Sequence, residues 1–214
     1  MTRVACLHAS LSNSVLFEEA AAGIGLKPEA FSHHARPDLL DAAVRAGELT
    51  EAIAAEAAAV LLELSQGADA VLLTCSTLGP AVRLAAGETS VPVIQADAAL
   101  AAEAARARGN LVVLCTIEAT LEPTGRLFAE AAAGTQASVQ ARLVSGAWPL
   151  FMGGDPDGYA RAIAEAAEDE YQAGADLVVL AQASMAPAAR LVTGGPEPLT
   201  VPRAAVAAVL AAVR

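Results

Sequence analysis

The sequence predicts an α/β fold of two pseudo-symmetric lobes, each a mostly parallel sheet flanked by helices. Three observations point there. Short Val- and Leu-rich runs alternate with longer Ala-rich stretches. The apolar runs are continuous rather than alternating, as in parallel strands covered on both faces. A strand and its following turn also recur 107 residues later, half the length of the 214-residue chain. Strand–helix alternation of this kind closes into parallel sheets through right-handed crossovers.

Taken in order, "RVACLH" (Arg3–His8) is the first strand, and His33 and His34 adjoin a second. A helix over Glu48–Leu64 ends at Gly67, which is placed to stop it. "ADAVLLT" (Ala68–Thr74) is the next strand, and its turn, "CSTLGP", leads to a helix opened by Pro80. The strand Val91–Gln95 and the helix Asp97–Ala107 complete a first lobe, expected at residues 1–107. The second lobe, 108–214, reads as strand Asn110–Thr116, helix Thr124–Ala133, strand Ala137–Val144, helix Asp157–Gln172 and strand Ala175–Ala181. Gly174 stops the last of these helices as Gly67 does in the first lobe. "MGGDPDGY" (Met152–Tyr159) is too irregular for a phosphate loop and reads as a cleft-edge loop or a plain connection.

Composition narrows the function. Hydrophobic residues make up 55 % and aromatics 3 %, so the core is built of Ala, Val and Leu. A net charge of −11 without a basic run excludes nucleic acid and anionic membranes as partners, since both need a positive patch. The start of the chain shows no basic and apolar leader. The longest charge-free apolar run, Ala204–Val213, is far short of the ~20 residues that cross a bilayer. Three cysteines, Cys6, Cys75 and Cys115, make no metal-ligand spacing and read as free thiols of a cytoplasmic protein.

The repeat carries the functional signal. "GADAVLL" from Gly67 and "GADLVVL" from Gly174 begin the two copies, and the same offset sets Thr77 on Ser184, Pro80 on Pro187 and Arg83 on Arg190. Chance likeness of apolar strands explains the Val and Leu matches but not the kept Pro and Arg. In parallel sheets ligands sit outside the carboxyl ends of strands. There the first copy carries Cys75, Ser76 and Thr77, and the second Gln182, Ala183 and Ser184. A thiol at a helix start is expected to ionise more readily, and the free backbone N–H groups attract a carboxylate. A pseudo-twofold would bring the two turns face to face across a cleft.

At "TCSTLGP" the chain resembles the aspartate/glutamate racemase superfamily, which includes hydantoin racemase, maleate isomerase and arylmalonate decarboxylase. "CTIEAT" (Cys115–Thr120) is similar to the strand and Thr-rich loop that open that family's second lobe. The resemblance implies two thiols flanking the acidic carbon of a small carboxylate or amino-acid-like substrate. It also implies Cys75 as base or nucleophile, no cofactor and no metal, and self-association into a homo-oligomer is expected. Ser76 stands where the family usually has Asn. The second thiol is replaced by Gln182, which cannot return a proton to the opposite face, and Ser184 has too high a pKa unaided. The family's decarboxylases work with one Cys, but in the second lobe, so this chain has the opposite arrangement.

The remaining candidates have two readings each. His8 closes the first strand and reads as a second acid/base or as a hydrogen-bonded structural histidine. Ser10, Ser12 and Asn13 are helix caps or, by the resemblance, part of the carboxylate site. Thr116 and Thr120 divide the same way, tilted toward binding by the family pattern. Cys6 and Cys115 read as core thiols. The expected reaction is proton transfer at the carbon next to a carboxyl group. A one-thiol lyase or isomerase and a non-catalytic small-carboxylate binder are the alternatives.

Overall fold

The Val- and Leu-rich runs become parallel strands, in a computed structural model that describes residues 2–213. The chain divides into two units: residues up to Ala99 together with those from Ala205 onward, and Leu100–Ala204.

In the first unit β1 (Val4–His8), α1 (Ser14–Ala22), β2 (Phe31–Ala35), α2 (Pro37–Ala46), α3 (Glu51–Ser65), β3 (Ala70–Leu73), α4 (Ala81–Ala86), β4 (Val93–Gln95) and the start of α5 (Ala96–Ala104) follow one another. The sheet order is β2-β1-β3-β4, all parallel. β1 is central, which is why all five of its residues are buried. Helix α3 starts at Glu51 rather than Glu48 because the Thr50 side chain accepts the Ile53 N–H and fixes the cap. Its Ala57 and Ala58 let the helix lie close against Leu7, Val71 and Leu73, with Leu61 and Leu78 filling the layer. Each fully buried Leu or Val contributes roughly 1.5–3 kcal/mol.

The second unit repeats the plan with β5 (Gly109–Cys115), α6 (Glu118–Ala132), β6 (Ala137–Leu143), α7 (Ala147–Met152), α8 (Pro156–Gln172), β7 (Leu177–Leu180), β8 (Leu199–Thr200) and the start of α9 (Val201–Ala212). Its order, β6-β5-β7-β8, matches the first. Asp155 caps α8 by accepting the Gly158 N–H at 2.8 Å. Val112, Leu114, Ile163, Val178, Leu180 and Met185 form the core. Helix α6 begins six residues before the expected Thr124, because Pro123 is accommodated inside it.

The 107-residue offset is kept in hydrogen bonds as well as in letters. Asp69 accepts the Arg3 backbone N–H at 2.8 Å, and Asp176 accepts that of Asn110 at 2.7 Å. Thr74 N–H donates to the Leu7 carbonyl at 3.0 Å, and Ala181 N–H to the Leu114 carbonyl at 3.1 Å. The units part company just after the repeated strand. A three-residue 3-10 turn (Ser76–Leu78) and α4 follow β3, whereas one 3-10 stretch, Ala183–Leu191, follows β7. Arg190 therefore sits in 3-10 structure, whereas its counterpart Arg83 lies in α4. Among the described residues no helix is long and apolar enough to cross a membrane.

Candidate active site

Cys75 stands two residues beyond the carboxyl end of β3, in extended backbone that caps the Ser76–Leu78 turn. It is partly exposed, whereas Cys6 and Cys115 are buried. Ser76 and Thr77 beside it are exposed. The thiol's pKa is raised, against the lowering that the turn position leads one to expect. Burial is the main cause; the Leu78 and Thr77 N–H groups and the Thr77 hydroxyl oppose it, and the Asp97 charge adds to it. The physical reason is scale. A three-residue turn aligns few peptide dipoles, too few to offset desolvation of a mostly enclosed sulfur.

His8 lies behind this turn, at 1 % exposure. Its Nδ1 is 2.8 Å from Thr74 Oγ1, and its Nε2 is 2.8 Å from His33 Nδ1. Thr74 Oγ1 is also 3.3 Å from the Leu7 carbonyl. His33 Nε2 is 3.2 Å from Glu18 Oε1, an ion-pair distance that is not lined up as a hydrogen bond. Burial first, then the His33 and His34 rings, hold the His8 pKa down to about 4, so the ring is neutral near pH 7. Cys6 is on the same face, its thiol pushed up to about 12 by burial and then by Glu18.

Cys6, His8 and His33 place one ligand atom each within 4.8 Å of one another, the one such trio among the described residues. Two nitrogens on a tetrahedral zinc sit ~3.3 Å apart, given Zn–N bonds of ~2.0–2.1 Å. The 2.8 Å between the two rings is the length of a hydrogen bond instead.

In the second unit Gln182 caps the turn at the position of Cys75. Its Oε1 accepts the Thr116 N–H at 2.8 Å and the Thr116 hydroxyl at 2.6 Å. A backbone N–H can only donate, so the amide orientation is fixed. The Thr116 proton is then committed to Gln182, and Thr116 Oγ1 must accept from Tyr159 at 3.2 Å. Tyr159 in turn accepts from Ser184 at 3.0 Å. This partly buried chain runs one way and leaves the turn with the Gln182 amide N–H donors and the lone pairs of Ser184. Burial raises the Tyr159 pKa, with the Ser184 and Thr116 hydrogen bonds opposing.

Of the other expected residues, Ser10 and Thr120 make local hydrogen bonds. Ser10 caps the Leu11–Asn13 turn by accepting the Ser12 N–H at 3.3 Å, and Asn13 makes no side-chain cap bond at the start of α1. Thr120 donates back to the Ile117 carbonyl at 2.7 Å. Thr74, His33 and Tyr159 contact the expected residues, and Glu18 lies beside His33, contacts that reading by motif overlooks. Tyr159 lies 43 residues from Thr116, and nothing in "GGDPDGY" signals the contact. His33 meets His8 because β1 and β2 pair in the register that sets Cys6 beside His33.

Comparisons with known proteins agree with this architecture. No curated protein matches the sequence. An aspartate racemase from Picrophilus torridus superposes with a TM-score of 0.69 at 13 % identity, covering 100 % of this chain and 94 % of that one. An aspartate racemase homologue from Pyrococcus horikoshii OT3 gives 0.68 at 12 %, covering 100 % and 99 %. The allantoin racemase of Pseudomonas fluorescens gives 0.62 at 18 %, covering 99 % and 91 %. The profile of the Asp/Glu/Hydantoin racemase family matches residues 16–213, nearly the whole chain, and the chain belongs to that family.

Proposed function

We propose that this chain is an isomerase-type enzyme that moves a proton at the carbon next to a carboxyl group, without a cofactor, using the Cys75 thiolate as base. The observation that carries the reading is the position of this thiol. It lies just past the end of β3, is the partly exposed one of the three, and is flanked by exposed Ser76 and Thr77. Backbone N–H groups and these hydroxyls are suited to hold a carboxylate and the enolate that forms from it. Burial favours the neutral thiol, and the N–H groups of Leu78 and Thr77, which oppose it, are the donors that would support the thiolate.

A one-thiol reaction is the form of this activity that the second turn favours. Gln182 is locked by Thr116 and has no proton to give near neutral pH. The chemistry is then exchange, decarboxylation or isomerisation on one face rather than two-base racemisation. The test is incubation of amino acids, hydantoins and substituted malonates in deuterated water, with mass-spectrometric detection of deuterium at the acidic carbon. Cys75→Ala should lower any exchange by ~10²–10⁴-fold, the usual worth of a general base. Exchange that persists unchanged in Cys75→Ala assigns the chemistry elsewhere.

A further inference from the structure

We propose that Asp97 is the cation-accepting group of the Cys75 site, and that it selects a ligand carrying an ammonium group. It rests on the reading of Cys75 as the base, and it names the substrate class that this base serves. β3 and β4 pair with Leu73 beside Gln95; Cys75 stands two residues beyond the first strand and Asp97 two residues beyond the second. Cys75 packs on the apolar layer that contains Leu73, so its side chain lies on that residue's face of the sheet. The Gln95 amide lies against the same turn, because a Cβ on Gly79 would overlap it. The carboxyl end of β4 is thereby packed onto the turn that bears the thiol. Asp97 is partly buried, and its Oδ1 accepts the N–H of Ala98, the next residue, at 3.0 Å. The ion pairs of Arg3, Arg36, Arg126, Arg142 and Arg203 all go to other carboxylates.

An aspartate in the first turn of a helix suits the helix dipole on its own account. Beside a thiol that has to ionise it has a second effect. Burial is the main force that keeps the proton on the sulfur, and the Asp97 charge adds to it. An ammonium seated on Asp97 cancels that charge and sets a positive one near the sulfur. In an α-amino acid the ammonium is carried by the carbon that loses the proton, so the ion pair also brings that C–H bond toward Cys75. Bound substrate then favours the thiolate, and the thiol's own proton leaves to water. The thiolate takes the proton of the C–H bond, and the electron pair of that bond passes into the carboxylate as an enolate. Return of that proton restores the C–H bond and the thiolate. Malonates bring no cation to Asp97, and the nitrogens of a hydantoin are uncharged, so neither relieves the thiol.

Two measurements on the intact protein test this assignment. The pH midpoint of Cys75 alkylation by iodoacetamide, followed by peptide mass spectrometry, should fall in Asp97→Asn with no ligand present. Calorimetric titration should then compare aspartate with malate, alanine with lactate and phenylalanine with phenyllactate, each in both enantiomers. The members of each pair differ only in an ammonium for a hydroxyl. An amino acid should bind wild type about tenfold or more tightly than its hydroxy partner, and Asp97→Asn should erase the difference. An unmoved midpoint, equal binding within a pair, or no binding by any of the amino acids overturns the assignment and leaves the Cys75 reading standing. That reading is decided separately, by deuterium exchange in Cys75→Ala. Amino-acid-selective binding together with exchange that Cys75→Ala does not slow removes the base and keeps the cation site.

Discussion

His8 shows what burial does to a residue whose chemistry looked open. Both ring nitrogens are taken, and the ring is held neutral down to about pH 4. In an unfolded chain the same ring takes a proton near ~6.5. Between these values the unfolded state binds more protons. The contribution to stability is therefore fully present above ~6.5 and is lost as pH falls toward 4, by an amount on the order of 3 kcal/mol. Urea midpoints at pH 7 and pH 4.5 should show this loss in the wild type and a smaller one in His8→Asn. An equal loss in both proteins would assign the acid sensitivity to other groups. Cys75 stands out in the sequence as a candidate because a thiol in "TCST" after an apolar strand has few structural reasons to be there. Its raised pKa does not, since that depends on enclosure and on Asp97, which only the fold brings near. The partners of Gln182 were hidden for the same reason: Thr116 is 66 residues away.

At the level of elements, strands could be read closely and helix starts less so. β1 and β5 fall within one residue of their apolar runs because a buried parallel strand needs an unbroken one. The start of α6 was obscured by Pro123, which usually marks a first turn but here lies inside the helix. The entrance to β5 depends on one glycine. Gly109 has φ of +90°, and a Cβ there would overlap the Asp176 carboxylate that accepts the Asn110 N–H. Gly109→Ala should cost about 1–3 kcal/mol through both effects. A thermal melt should show it as a loss of about 2–4 °C per kcal/mol. Gly67→Ala is the control, with open space around its Cβ and no positive φ, and should shift stability by about 0.5 kcal/mol or less. Equal melting of the two variants would contradict this account of the β5 entrance.

For the whole molecule the repeat is one of topology, and the turns that follow the repeated strand carry different groups. Both sheets have the same order, and the aspartates that pin the first strands lie 107 residues apart. The catalytic candidates do not follow that symmetry: a thiol on a short turn in one unit, an amide locked into a hydroxyl chain in the other. The fold class was legible because the repeat spans half the chain. The missing second thiol was legible as a changed letter; the hydroxyl chain through Thr116, Tyr159 and Ser184 that holds the Gln182 carbonyl was not. A proton taken at Cys75 should then come back on the face it left. The most direct measurement follows one enantiomer of an exchanging substrate in deuterated water, reading deuterium uptake by mass spectrometry and configuration by chiral chromatography in the same sample. The account predicts deuterium entering with the starting enantiomer retained. Inversion keeping pace with deuterium uptake would contradict it, and would require a second proton carrier on the opposite face.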